Sequence, residues 1–213
     1  MTTMPSIVTS DPQHAPAAPP RSVPAHEVAP GVLLHRSFVN TYAVRTSVGL
    51  LLIDPGLLRN AQSVHRAVRA WSAAPLHTAV YTHGHVDHAF GLGPFLDAGE
   101  RPHIVAQENC IARFRRYQLT QGLNTDINRR QFGNPAYVFP DRVTWPTLTF
   151  RDVMAQRLGD LEVYYRAAKG ETDDHCYLWI PEQAYLFTGD LVIWASPNCG
   201  TRKATAWRWS PRS

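Results

Sequence analysis

The chain lacks the features that mark several common protein classes. Its three cysteines, Cys110, Cys176 and Cys199, are odd in number and form no C-x-x-C pair, which excludes a disulfide framework and a thiolate metal knuckle. No uncharged apolar run approaches the ~20 residues that a membrane span needs, and the first 30 residues lack the basic start and apolar stretch of a secretion signal. The expectation is a soluble, cytoplasmic chain with no membrane partner. Acidic residues are missing from residues 191–213, which contain Arg202, Lys203, Arg208 and Arg212. These four of the 21 basic residues account for the whole formal charge of +4, and the rest of the chain balances 17 basic against 17 acidic groups. A neutral body offers no basic face to a phosphate backbone, which argues against a nucleic-acid partner.

What is present suits one α/β domain. At 213 residues with 44% hydrophobic side chains, the chain can bury one sizeable core but not two. Seven prolines crowd residues 1–30 among Ala, Ser and Thr, so residues 1–29 read as a disordered leader. Residues 30–196 read as the folded domain and 197–213 as an irregular basic tail. Short β-type runs, Val32–Leu34, Thr41–Val44 and Leu50–Ile53, predict an antiparallel meander whose last strand is apolar throughout and stopped by Pro55-Gly56. Val64, Ala67, Val68 and Trp71 recur at helical spacing behind Asn60, a candidate N-cap. A strand at 78–81, a helix at 89–96, a strand at 103–105 and a helix at 107–117 follow. Residues 118–144 lack periodicity and read as a long loop, before three further strands near 161–165, 176–180 and 185–188. Strands alternating with helices give α/β layering.

The chemistry concentrates in Thr82-His83-Gly84-His85-Val86-Asp87-His88, three imidazoles and a carboxylate within six residues of a strand end. Imidazole nitrogen and carboxylate oxygen are the donors Zn²⁺ prefers. In an extended segment residues 83, 85 and 87 project to one side, and a turn into helix lets His88 point back. Two donor subsets result, His83 with His85 for one cation and Asp87 with His88 for a neighbour. Gly84 has no Cβ and permits close approach of backbone. Cys176, at the head of an apolar strand, reads as a buried free thiol. The remaining single histidines read as surface or packed residues, and Trp145, Trp179 and Trp194 as packing.

This H-x-H-x-D-H segment resembles the signature of the metallo-β-lactamase fold superfamily. Other residues agree in order: Asp54 in Leu52-Ile53-Asp54-Pro55-Gly56, the turn Gly170-Glu171-Thr172-Asp173-Asp174-His175, and Phe187-Thr188-Gly189-Asp190. The resemblance covers about residues 31–196 and implies a four-layer αβ/βα sandwich with a dinuclear hydrolytic centre at one edge. It implies metal ligands at His83, His85, Asp87, His88, Glu171 and Asp190, with Asp190 bridging and Asp54 supporting the site without ligating. Glu171 stands where most members have a His ligand, a swap that resembles the alkylsulfatase branch; His175 is the alternative ligand or a supporting residue. Members usually add a last His downstream of Asp190, but no His follows His175 here. The end of the chain thus has the look of a truncated sandwich without its final elements.

The reaction implied is hydrolysis by a hydroxide generated on one or two Zn²⁺ ions, with Mn²⁺ and Fe²⁺ left open and Asp87 orienting the nucleophile. The substrate implied is a small-molecule ester, a sulfate ester first, with a lactone or thioester as the alternative. Arg129 and Arg130 are candidate anion holders or else a solvated basic turn. A metal-binding remnant without turnover is the rival from another class. Oligomeric state is not readable from the chain.

Overall fold

The computed structural model describes residues 25–192 and 207–208. Residues 1–24 of the expected leader, Trp194, Cys199 and most of the expected tail lie outside them. Among the described residues, no helix is long and apolar enough to cross a membrane.

Two sheets lie face to face. The first has seven strands in sequence order: β1 (His26–Ala29), β2 (Val32–His35), β3 (Thr41–Thr46), β4 (Gly49–Ile53), β5 (Leu76–Val80), β6 (His103–Gln107) and β7 (Leu148–Phe150). The expected meander is there, since β1 to β4 pair antiparallel, whereas β4 to β7 pair parallel. The second sheet is antiparallel, with β8 (Val153–Leu158), β9 (Leu161–Ala167), β10 (Cys176–Ile180), β11 (Tyr185–Phe187) and β12 (Trp207–Arg208) ordered β12-β11-β10-β9-β8. The helices are α1 (Ala61–Trp71), α2 (Val86–Ala89), α3 (Gly93–Asp97), α4 (Asn109–Leu119) and α5 (Gln121–Phe132).

The apolar β4 run has a direct reason. Alternate side chains enter different cores: Leu50 and Leu52 join Val64, Val68, Phe95 and Phe114 on the helical side, while Leu51 and Ile53 join Val163, Tyr165, Leu178 and Phe187 between the sheets. A strand buried on both faces must be apolar at every position. At ~1.5–3 kcal/mol for each fully buried side chain, this run fixes the strand end that follows it. Helices, first sheet and second sheet make three layers. The helical fourth layer of the expected sandwich is not found among the described residues, and the outer face of the second sheet carries a partly exposed row of Tyr164, Trp179 and Leu186.

Several local expectations are corrected. Residues 26–29, assigned to the leader by their proline-rich surroundings, form β1, because Glu27 accepts bonds from the Gly31 N–H (2.7 Å) and the Trp71 indole (3.0 Å). Asn60 makes no side-chain cap and closes a 3-10 turn, Leu58–Asn60, that leads into α1. The helix expected at 89–96 is two short helices broken at Phe90–Leu92. Residues 121–132 are helical where a loop was expected; α5 buries only Thr125 and leaves Leu123 and Ile127 exposed, so its apolar positions carry no core-facing pattern. β7 and β8 were not anticipated, being short or mostly exposed.

The carboxyl ends of β4, β5 and β6, where ligands settle in open parallel sheets, face the turns after β9 and β11. Gly91 closes this end, since any Cβ there would overlap the Pro55 carbonyl just past β4. Gly91→Ala is therefore expected to destabilise the protein by about 1–3 kcal/mol through forced overpacking. Urea unfolding checks this, with Gly93→Ala, where a Cβ meets nothing within 4 Å, as the near-neutral control.

Candidate metal centre

Asp54 ends β4 with a left-handed backbone, φ +51°, that Asp tolerates better than most residues. Its own backbone is held by the Thr41 hydroxyl, which donates to the Asp54 carbonyl at 2.7 Å. Its carboxylate, 3% exposed, accepts the Thr82 N–H at 2.8 Å, the Thr82 hydroxyl at 2.8 Å and His88 Nδ1 at 2.7 Å. An ionised carboxylate only accepts, so Nδ1 of His88 carries the proton and Nε2 is the ring atom left to face the site. That Nε2 lies 3.4 Å from Asp190 Oδ2 and 4.0 Å from Asp87 Oδ2. It is buried and completes no hydrogen bond of good geometry. Burial alone would lower the His88 pKa, but Asp54, Asp190 and Asp87 together raise it to about 10.

Thr82 passes the same constraint to its neighbour. His83 is fully buried; its Nδ1 is 3.2 Å from the Thr82 hydroxyl, and its Nε2 is 3.0 Å from both His85 Nδ1 and Glu171 Oε1. Glu171 Oε1 also lies 2.9 Å from His85 Nδ1. Burial first, and the neighbouring His88 second, push the His83 pKa down to about 4, so this ring is a neutral donor at physiological pH. Hydrogen bonds from His83 and His85 hold the Glu171 carboxyl well below the usual carboxylate range.

Two groups of three donors converge. Ligand atoms of His83, His85 and Glu171 lie within 4.8 Å of one another, as do those of His83, His88 and Asp190. The chemistry of this set, imidazole nitrogens and carboxylate oxygens around an imidazole nitrogen with no hydrogen bond, fits a divalent cation. The structure thus brings His83, His85, His88, Glu171 and Asp190 together. Asp87 falls in neither tight group because α2 begins at Val86, turning its carboxylate onto the first helical turn instead of along an extended run. His175 is also outside both groups. It is fully buried, with its ring stacked on His83 at a 4.5 Å centroid distance and 10° between planes. Arg129 spends its guanidinium on the Tyr137 carbonyl (2.8 Å) and on Asp126 (3.6 Å), while Arg130 is exposed on α5.

Sequence reading missed Asp174 and Arg113. The Asp174 carboxylate, fully buried, accepts the Gly84 N–H at 2.7 Å and Arg113 Nε at 2.7 Å. The signal available was a carboxylate next to His175 and an arginine on the inward face of a helix, neither distinctive alone.

A family model described as the metallo-beta-lactamase superfamily matches residues 35–198. The linear primary-alkylsulfatase of Pseudomonas sp. (strain ATCC 19151) is 26% identical over 188 residues, covering 75% of this chain and 35% of that protein. The chain therefore spans about a third of the length of that curated relative. A solved metallo-beta-lactamase of Cronobacter sakazakii with a HARLDQ motif superposes with a TM-score of 0.62 at 16% identity, over 85% of this chain and 68% of its own. The sec-alkylsulfatase Pisa1 from Pseudomonas sp. superposes with a TM-score of 0.59 at 16% identity, over 75% and 30%. At these identities the two structures show a shared fold.

Asp54→Ala would release Thr82 and leave the buried His88 ring unoriented. Losing such a carboxylate partner of a ligating imidazole is expected to lower metal affinity on the order of 10–100-fold. Competition of the variant against a chromophoric chelator measures it, and wild-type affinity would show that His88 needs no orienting partner.

Proposed function

The chain belongs to the metallo-beta-lactamase superfamily, and from that premise we propose that it is a metal-dependent hydrolase of small-molecule esters, with sulfate esters as the first class to test. The observation that carries the reading is the convergence of two donor groups on one buried imidazole, His83. His83, His85 and Glu171 would hold one divalent cation. Asp87 and His88 would hold a second, with Asp190 between the two. Zn²⁺ is the first choice for such a nitrogen and oxygen set. Bound there, a divalent cation lowers the pKa of water from 15.7 toward about 7 and stabilises charge on a leaving or carbonyl oxygen.

The chain's own groups divide the remaining work. Asp54 fixes the face that His88 turns to the site. Glu171 adds a negative charge where a neutral imidazole would add none, which favours cation binding and tempers Lewis acidity. Asp87, partly buried at the start of α2, orients the attacking water and takes its proton. His175 supports His83 through their stacked rings. Arg129, already engaged by Tyr137 and Asp126, is a poorer candidate for a substrate anion than the exposed Arg130. The sulfate-ester choice rests on Glu171 and on likeness to an alkylsulfatase; lactones and thioesters are the alternative. The cysteine usage supports a cytoplasmic setting.

The rival is a metal-binding chain without turnover, favoured by Asp87 lying outside both tight donor groups. Metal counting and an ester panel separate the two. About two Zn²⁺ per chain with hydrolysis that is lost on chelation supports the hydrolase; bound metal with no turnover supports the rival. Glu171→Gln removes a charged donor and is expected to weaken the tighter cation clearly, while His175→Ala acts through packing alone, with a loss within about 10-fold. The reverse order would move the third ligand from Glu171 to His175.

A further inference from the structure

The outstanding feature beside the donor cluster is a buried ion pair that serves no other purpose described above. The Asp174 side chain is fully buried and that of Arg113 is 9% exposed. Isolating such charges from water is costly, and apolar packing of the same volume often stabilises a fold as well. The targets of these groups are therefore informative. Asp174 Oδ2 accepts the N–H of Gly84, the one residue between the donors His83 and His85. Asp174 Oδ1 accepts Arg113 Nε, and Arg113 Nη2 donates to Asp173 Oδ1 at 2.6 Å. Asn109, one turn earlier on α4, donates from Nδ2 to the Asp173 carbonyl at 3.2 Å.

Asp174 follows Glu171 by three residues in the same turn. One carboxylate thus ties the segment that supplies two donors to the turn that supplies the third, and α4 clamps the turn at two consecutive residues. Gly84 fits the same account. A Cβ at Gly84 would lie 2.7 Å from Asp174 Oδ2 and 2.8 Å from Arg113 Cδ, so the pair fills the space that any other residue would need. Burial would by itself raise the Asp174 carboxyl, but its hydrogen bonds and Arg113 hold it below the ordinary value, so the pair stays ionised.

We infer that Asp174 and Arg113 are positioning residues that set the spacing of His83, His85 and Glu171, and so the affinity and geometry of the first cation. The inference rests on the metal reading proposed above. It separates from a purely structural tie because a tie need only lower stability, whereas a positioning pair changes the metal's own properties. Arg113→Lys keeps the charge but loses the fork that spans two carboxylates. Asp174→Asn keeps the size and the acceptor for Gly84 but loses the ionised partner of Arg113. Asp173→Ala removes only the outer contact of Arg113 at an exposed residue.

Each variant, beside the wild type, is titrated with Zn²⁺ against a chelator and with Co²⁺ by visible absorption, and its folding is followed by circular dichroism. Arg113→Lys and Asp174→Asn are expected to lose on the order of 10–100-fold in affinity at the tighter position, with an altered Co²⁺ band. Asp173→Ala is expected to lose less, and Arg113→Met more than Arg113→Lys. Wild-type affinity and an unchanged Co²⁺ band in whichever of these variants fold would overturn the inference alone, even if melting temperatures drop. A wild-type chain that takes up neither Zn²⁺ nor Co²⁺ would overturn the metal reading and the inference together.

Discussion

The bond between Asp54 and His88 is the constraint on which the site depends. At 2.7 Å and out of contact with water, it decides the protonation of the His88 ring and hence which atom is presented to the cluster. The same carboxylate takes both donors of Thr82, and Thr82 is the residue from which the histidine segment leaves β5. Maintaining Asp54 at φ +51° costs strain on the order of 1 kcal/mol or more. That conformation persists because the Thr41 hydroxyl and the Val80 carbonyl hold the backbone on either side of it. A strand buried on both faces, a strained terminal residue and an oriented imidazole form one chain of causes.

The electrostatics of the cluster suit a cation. Two histidines 4.1 Å apart by ring centroid are pushed in opposite directions: His83 down to about 4 by burial and by His88, His88 up to about 10 because three carboxylates outweigh its burial. One ring is thus a ready neutral donor and the other holds a positive charge among acids. A divalent cation would replace that proton and answer the same carboxylates with twice the charge, which is the sense in which metal and proton compete for such sites.

How much of this could be read beforehand follows from the range over which each feature acts. Donor density between His83 and His88 is a local pattern and was visible as such, as was the doubly buried β4. Glu171 and Asp190 were named only through resemblance, because nothing within a few residues of either marks a ligand. The break at Phe90–Leu92 was invisible because its cause, the Pro55 carbonyl against Gly91, lies 36 residues away in sequence. Helix α5 was read as loop because its apolar residues Leu123, Ile127 and Phe132 face solvent instead of a core. The Asp174–Arg113 pair joins residues 61 apart, and a charged residue on its own carries no sign that it will be buried.

These ranges also bear on where substrate choice resides. The donors sit on strand ends and on turns tied by Asp54 and Asp174, so they have little freedom to adapt, and a shared fold does not name a substrate. A less constrained group of side chains lies on the Asp87 side of them. There Phe132, at the end of α5, meets Phe38 edge to face, Arg59 stands 5.8 Å over the Phe38 ring, and Tyr137 lies within the electrostatic reach of both Arg59 and Asp87. Burial is the main cause of the raised Tyr137 pKa, so its hydroxyl stays protonated and can donate to an anionic or carbonyl oxygen. Phe38, Phe132, Arg59 and Tyr137 thus form a mixed apolar and polar edge on the Asp87 side of the donor set. The same combination explains why this group could not be found from composition: its residues come from four separate segments, and none is unusual until the fold brings them to one edge.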